Sequence, residues 1–140
     1  MSVNTIRSTI KTKLDTLKWT WKPFVNVYDF FTTSPQWFPC AMFEPAKLDS
    51  EFNTNTQNLR SYWFVIHIMH EMTNENRQNA ITAVTKAFDQ VVDAFDNDFT
   101  LGWTVEEVNA VAWEFGDANM ESWPVYYSTI NLVCKLLHTN

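Results

Sequence analysis

Alternation of bulky side chains makes residues 59–72 the strongest structural signal in the chain. The large residues alternate between two faces of an extended segment: Tyr62, Phe64, Ile66 and Ile68 on one, Trp63, Val65, His67 and Met69 on the other. A run of β-branched and aromatic residues without glycine or proline is typical of a strand covered on both sides. The pattern therefore predicts the central strand of a sheet, with Phe64 and Ile66 in the core.

Two segments show the spacing of three and four residues that is typical of amphipathic helices. The apolar positions are Val3, Ile6, Ile10, Leu14 and Leu17 in the first segment, and Ala80, Ile81, Val84, Phe88, Val91, Val92 and Phe95 in the second. Thr73 or Asn74 is expected to cap the second helix, and the polar residues 96–98 are expected to end it. Each helix therefore has one apolar stripe to bury against the sheet.

Four further segments are predicted as strands: residues 24–31, 37–44, 108–115 and 123–137. Pro39 favours an edge or entry position for the second of them, because proline cannot donate a backbone hydrogen bond. Residues 116–119 form a turn signal between the last two strands. The order is α-β-β-β-α-β-β, which predicts a single α+β domain over residues 1–140. Its antiparallel or mixed sheet has about five strands, with two packed helices.

The polar residues 45–58 separate two predicted strands and are rich in asparagine and threonine. They are expected to form a long hairpin loop or to extend the two strands outward. A connection of this length in a compact domain is usually functional or mobile. Polar segments of this kind often become ordered on contact with a partner. The candidate partner-binding residues in it are Lys47, Asp49, Glu51, Asn53 and Asn55.

The aromatic content points to an interface in addition to a core. Hydrophobic residues make up 46% of the chain and aromatic residues 16%, with seven tryptophans and eleven phenylalanines. This composition excludes a disordered chain and exceeds what one small core usually needs. Tryptophans next to predicted turns are the best candidates for contacts between subunits. On this basis Trp21, Trp37 and Trp103 are predicted to lie in an oligomer interface.

Charge and cysteine content exclude several classes of protein. The formal net charge is −6 and no basic patch is visible, so direct nucleic-acid binding is not expected. No segment approaches the roughly 18 apolar residues of a membrane span, and the amphipathic start does not resemble a signal peptide. Cys40 and Cys134 lie far apart and have no metal-ligand spacing. They are expected to be reduced, buried thiols in a soluble cytoplasmic product.

The residues with chemical potential do not form a recognisable reactive site. His67 and His70 would share one face of a helix, but on a strand residues three apart point to opposite faces and cannot chelate one ion. The acidic pair Glu106 and Glu107 lies next to a predicted turn and is expected to be solvated. With Gly102 and Gly116 as the only glycines, a glycine-rich phosphate loop is absent from the sequence. The sequence predicts no catalytic, cofactor or metal site, and therefore a protein that is not an enzyme.

The segment 37–44 (WFPCAMFE), the polar segment after it and the strand 62–69 together resemble the tail terminator proteins of lambda-like tailed bacteriophages. In that family an N-terminal helix precedes a strand containing Phe-Pro, a polar loop, a long apolar strand, an amphipathic helix and two closing strands. The resemblance implies a ring, usually of six subunits, at the head-proximal end of the tail tube. Such a ring stops tube polymerisation and provides the surface for head joining.

The resemblance also implies partners and a location. The partners would be further copies of the chain, the major tail tube protein and a head-completion or neck protein, in a virion assembled in the host cytoplasm. Head–tail connector and tail-completion proteins of the neck share this size and similar folds, and remain an alternative. A further alternative is a small ligand-binding or enzymatic α+β protein with an aromatic-lined pocket. A terminator should show a flat apolar seam, whereas a pocket protein should have aromatic side chains around a void.

Overall fold

The computed structural model describes residues 3–17, 26–32, 39–52, 57–73, 75–98, 100–101, 105–120 and 123–139, and the structural statements below concern these residues. The elements are α1 (Val3–Asp15), β1 (Asn26–Tyr28), β2 (Cys40–Phe52), β3 (Gln57–Glu71), α2 (Arg77–Asp96), β4 (Glu107–Met120) and β5 (Trp123–Thr139). Their order is the predicted α-β-β-β-α-β-β, and the fold is α+β. Neither described helix is long and apolar enough to cross a membrane.

The strands form one mixed sheet in the order β1-β2-β3-β5-β4. The short strand β1 is parallel to β2, and the other neighbouring strands are antiparallel. β3 is therefore the middle strand, as predicted. It pairs along its whole length with β5, from Gln57 opposite Thr139 to Glu71 opposite Val125.

Both helices pack on the same face of the sheet, which we call the helix face. β3 contributes Tyr62, Phe64, Ile66 and Ile68 to this face, and all four side chains are buried. They belong to one hydrophobic cluster with Ile6, Ile10 and Leu14 of α1 and with Val84, Ala87 and Val91 of α2. Apolar residues at helical spacing thus meet apolar residues at strand spacing, which is the packing that the two periodicities predict. Phe64 and Ile66 are core residues, as predicted.

The opposite face of the sheet, which we call the groove face, is covered less completely. Here β3 presents Trp63, Val65 and His67, which are half-buried, and Met69, which is buried. The pattern predicted a strand covered on both sides, and within the described part of the chain this second face is covered only in part. The reason is that α1 and α2 both bury their stripes on the helix face.

The predicted loop at residues 45–58 is mostly strand. β2 continues to Phe52 and β3 begins at Gln57, with Leu48 opposite Tyr62 and Asp49 opposite Ser61 in the ladder. A register shift between Pro45 and Lys47 accommodates the proline, because a bulge leaves one residue outside the ladder. Of the two possibilities that the sequence left open, the structure has the outward extension of the strands.

The predicted turn at residues 116–119 is also strand. β4 runs through it to Met120, and Gly116 lies opposite Tyr127 of β5. A Cβ atom on Gly116 would lie 3.4 Å from the ring and hydroxyl of Tyr127. A larger side chain at this position would therefore lie against the tyrosine ring in ordinary van der Waals contact, and the glycine belongs to the strand and not to a turn.

The start of α2 also differs from the prediction. The N-cap is Asn76, and helical residues begin at Arg77. Thr73, predicted as a cap, lies before it and hydrogen-bonds with it: the Thr73 backbone N–H donates to Asn76 Oδ1, and the Asn76 backbone N–H donates to Thr73 Oγ1. Asn74, the other predicted cap, lies outside the described residues. The end of the helix at Asp96 agrees with the prediction.

Candidate functional site

Three strands of the sheet continue past the first residue of β4. Glu107, where β4 begins, lies opposite Lys135 of β5, whereas β2, β3 and β5 remain paired as far as Phe52, Gln57 and Thr139. We call residues 47–52, 57–61 and 135–139 the three-stranded extension. Residues 44–50 are exposed throughout. The extension therefore places a long, accessible surface on a hydrogen-bonded frame.

Lys47 and Asp49 lie next to each other on the groove face of the extension. Lys47 Nζ is 3.4 Å from Asp49 Oδ2, and it lies 4.4 Å from the centre of the Trp63 ring. The side chains of Lys47 and Asp49 are 57% and 60% exposed, so the ion pair contributes little to stability but both charges are accessible. The partial negative charge on the face of the Trp63 ring attracts the Lys47 ammonium group, and the contact restricts the position of this group. Of the predicted partner-binding residues, these two form a defined polar patch.

A shallow apolar pocket lies at the base of the extension. Its volume is about 230 Å³, and its lining includes Val3, Pro45, Leu48 and Tyr62. Leu48 is 52% exposed and Val3 is 37% exposed, although both are apolar. Exposed apolar side chains around a depression, bordered by charged residues, are typical of protein contact surfaces.

The sheet has two long edges of different sequence. On one side, β1 pairs only with Cys40–Met42 of β2, so no described strand lies outside β2 from Phe43 to Phe52. On the other side, β4 is the last described strand over its whole length, Glu107–Met120. Free edges of this length present unpaired backbone donors and acceptors to other chains.

A groove of about 230 Å³ lies on the groove face, away from the extension. It is lined by Phe31, His67, Met69, Glu114, Ala118, Val125, Tyr127 and Thr129. Three of these residues lie in one row across the sheet, because Thr129 is opposite both His67 and Glu114. The ring of Phe31, which follows β1, lies edge-on to the His67 ring with the centroids 5.4 Å apart.

Polar atoms of the groove are linked to one another. His67 Nδ1 lies 3.2 Å from Thr129 Oγ1, and the Tyr127 hydroxyl donates to Glu114 Oε1 at 3.4 Å. Burial lowers the pKa of His67, while the negative charges of Glu44 and Glu114 act in the opposite direction. The imidazole is therefore held mainly neutral at pH 7, with two carboxylates near it.

The remaining predicted site residues cannot be placed in the same way. The side chain of Glu51 and the residues Asn53 and Asn55 lie outside the described part of the chain, as do Trp21, Trp37 and Trp103. The two histidines lie on β3 three residues apart; His70 Nδ1 is 2.7 Å from the Glu71 carbonyl oxygen, and His67 is in the groove. Among the described residues, no cluster of histidine, cysteine and carboxylate side chains could hold a metal ion.

Sequence reasoning missed three residues that the structure brings into these surfaces: Trp63, Glu114 and Tyr127. Trp63 was expected on a covered face of the central strand, and it is half-buried beneath Lys47. Glu114 and Tyr127 lie on different strands, and only the register of β4 on β5 brings their side chains together. The alternation of β5 was the one available signal, and it could not show which residues lie opposite.

No protein-family model matches the chain, and no curated protein matches it either. Inference about its function therefore depends on the geometry of the extension, the two sheet edges and the groove.

Proposed function

We propose that the protein is a structural subunit of a bacteriophage tail. It assembles into a closed ring at the head-proximal end of the tail tube, ends tube polymerisation and offers the surface to which the head joins. The observation that most supports this proposal is a pair of unlike edges on one sheet that no described strand covers, β2 from Phe43 to Phe52 and β4 from Glu107 to Met120. The order of elements, which resembles that of tail terminators, supports it as well.

Unlike edges favour a head-to-tail contact between subunits. Counting across the sheet, β2 and β4 run in opposite directions, because β2–β3, β3–β5 and β5–β4 are each antiparallel. In a neighbouring copy with the same orientation, β4 would therefore meet β2 as an antiparallel partner. Because each subunit would use two different patches, the contact is heterologous, and it closes when the rotation per subunit divides the circle. Six subunits would match the symmetry that the resemblance implies for the tube.

The three-stranded extension is the surface that we assign to the larger partners, the major tail tube protein and the head-completion or neck protein. It carries Lys47 and Asp49 in accessible positions and Leu48 as an exposed apolar contact. Specific protein interfaces typically have an apolar centre surrounded by charged and polar residues. Because its backbone is paired in the sheet, the extension would bind with little loss of conformational entropy.

Reversing charges on the extension tests this assignment. We expect the double substitution Lys47→Glu and Glu51→Lys to reduce binding to isolated tail tubes at least about tenfold, because like charges then face the partner. The loss of the contact between Lys47 and Trp63 should lower the free energy of unfolding by about 1 kcal/mol at most. The measurements are co-sedimentation with tubes and thermal unfolding.

A matched control for the charge reversal is Lys86→Glu, on the exposed side of α2. It changes one lysine in the same way but lies on the far side of the helix layer. The double variant keeps the net charge, so equal loss of tube binding in the control would show that charge reversal at any exposed lysine, and not only on the extension, weakens binding. Unchanged tube binding in the double variant would show that the extension does not contact the tube.

The ring itself is tested by native mass measurement across protein concentrations, with and without isolated tail tubes. We expect a closed oligomer on tube ends, and electron microscopy should show the tubes capped at one end. A chain that stays monomeric at all concentrations and never decorates tubes would contradict the proposal. Capping of heads in place of tubes would favour the alternative, a neck or tail-completion protein.

The ligand-binding alternative has less support among the described residues. Three depressions there measure about 230, 230 and 320 Å³, which is near or below the lower end of the roughly 300–1,000 Å³ of small-molecule sites. All three are open to the surface, whereas small-molecule sites enclose most of the ligand. The groove has the size of a single side chain. A role in protein contacts therefore agrees better with its dimensions.

A further inference from the structure

The groove on the groove face combines aromatic walls with an apolar base. Phe31, His67 and Tyr127 contribute rings, and Ala118 contributes apolar surface above the buried Met69 and Val125. Met69 and Val125 belong to a small buried cluster against which Tyr127 and Ala118 pack, so this part of the groove is held in place. Flat rings around a depression favour a planar or cationic group, because the ring faces carry partial negative charge.

The charges at the groove are negative. Glu114 lines it, and Glu44 is close enough for its charge to act on His67. Glu71 lies two residues beyond Met69 on the same face of β3 and is exposed. The described bases on this face, Lys47 and Lys135, are already engaged by Asp49 and Glu107. Among the described residues, the carboxylates at the groove therefore have no cation of the same chain against them.

We propose that the groove binds an arginine side chain presented by a basic segment of a different protein. The guanidinium group stacks on the rings of Tyr127 and Phe31 and donates hydrogen bonds to the Glu114 carboxylate, while the methylene groups of the arginine lie on Ala118, above the buried Met69 and Val125. Arginine fits this arrangement better than lysine, because its planar group stacks on rings and donates in a fork to a carboxylate.

The arginines of the chain itself are poor candidates for this position. Arg7 bonds the carbonyl oxygen and approaches the carboxylate of Asp29, and Arg77 lies 3.0 Å from Asp117. Arg60 is half-buried on the helix face of the extension. With a net charge of −6, a second copy of the chain would also be repelled at this acidic site. The occupant is therefore a basic partner, and the proposal is independent of ring formation.

The test uses the full chain and three tripeptides, acetyl-Leu-Xaa-Leu-amide with arginine, citrulline or lysine at the centre. Citrulline has nearly the shape of arginine but no charge. In amide NMR spectra we expect the arginine peptide to shift the signals of His67, Glu114, Tyr127 and Thr129 at millimolar concentration. The lysine peptide should bind several-fold more weakly, and the citrulline peptide about tenfold more weakly.

Variants identify the carboxylate that is responsible. Glu114→Gln should weaken binding of the arginine peptide about tenfold, whereas Glu106→Gln, an exposed carboxylate just before β4, should leave it unchanged. If Glu114→Gln alters signals outside the groove, Glu44→Gln is the second variant, and a smaller loss of about threefold is expected because Glu44 does not line the groove. Unfolding of a variant is visible in the same spectra.

Four results would overturn the proposal. They are no binding of the arginine peptide up to about 20 mM, equal binding of the citrulline peptide, unchanged binding by both Glu114→Gln and Glu44→Gln, and shifts confined to the helix face. Self-association that maps to the groove and is lost in Glu114→Gln would show that a second copy occupies it, and this too would contradict a separate basic partner. None of these results bears on capping of tail tubes.

Discussion

Replacement of Phe64 by alanine should lower the free energy of unfolding by about 3–5 kcal/mol. Phe64 lies in the middle of the central strand, is fully buried, and its ring centre is 6.4 Å from that of Phe43 on the neighbouring strand. Its removal deletes apolar contacts and leaves a cavity that the surrounding strands cannot close, because both neighbours are fixed by the ladder. The large effect thus follows from position as much as from size.

Thermal and denaturant unfolding measure this effect, and Phe30→Ala is a matched control. Phe30 is 51% exposed and lies after β1, where it contacts Tyr28. We expect the control to lose less than about 1 kcal/mol, since little apolar surface leaves water when Phe30 is placed there. A melting curve of Phe64→Ala equal to that of the control would show that β3 is not part of the core.

Alkaline pH should destabilise the protein through its two cysteines, which are free and buried, as predicted. Burial raises the pKa of the Cys40 and Cys134 thiols from 9.0 to about 12. Above pH 9.0 the unfolded chain releases these protons, while the native chain keeps them until the pH approaches 12. The unfolded state then binds fewer protons, so the free energy of unfolding falls as pH rises, by about 1.4 kcal/mol per pH unit for each thiol.

Denaturant unfolding between pH 8 and pH 11 measures this decline, and the variant with Cys40→Ala and Cys134→Ala is the control. Lysine and tyrosine groups titrate in both proteins, so the difference in slope reports the thiols alone. In the native protein, thiol labelling at pH 8 should be about 1,000-fold slower than in the unfolded chain, because the thiolate is the reactive form. Equal slopes, or fast labelling of native protein, would show that the thiols are accessible to water.

The hydrophobic pattern of neighbouring residues predicted the core well, because core residues recur with either the two-residue period of a strand or the three-to-four-residue spacing of a helix. The alternation from Tyr62 to Met69 and the helical spacing of Ile6, Ile10 and Leu14 each define a face from neighbouring residues alone. The extent of the strands was not predictable in this way. Residues 46–50 form strand although they are exposed, because the backbone pairs with β3 without burying the side chains. The polar composition of this segment therefore gave no sign that its backbone forms a strand.

The residues of a candidate surface were predictable from sequence only where they all belong to one continuous segment. Lys47 and Asp49 were identified because both belong to the polar segment after β2. The groove combines residues from β3, β4, β5 and the segment after β1, and its composition depends on register. A shift of β5 by one residue would send Tyr127 and Thr129 to the helix face. Hydrophobic alternation shows that faces exist, but it does not show which residues of separate strands become neighbours.

The pairing of β3 with β5 also has a consequence for how the chain reaches its native state. The two hairpins, β2–β3 and β4–β5, can form from nearby residues, but joining them requires closure of the long segment that contains α2 and β4. The entropy of that closure is lost before the central contacts can compensate for it. Chains dominated by such distant pairings fold in milliseconds to seconds. During that interval the apolar edges of β3 and β5 stay unpaired, so newly made subunits are exposed to mispairing until the two hairpins meet.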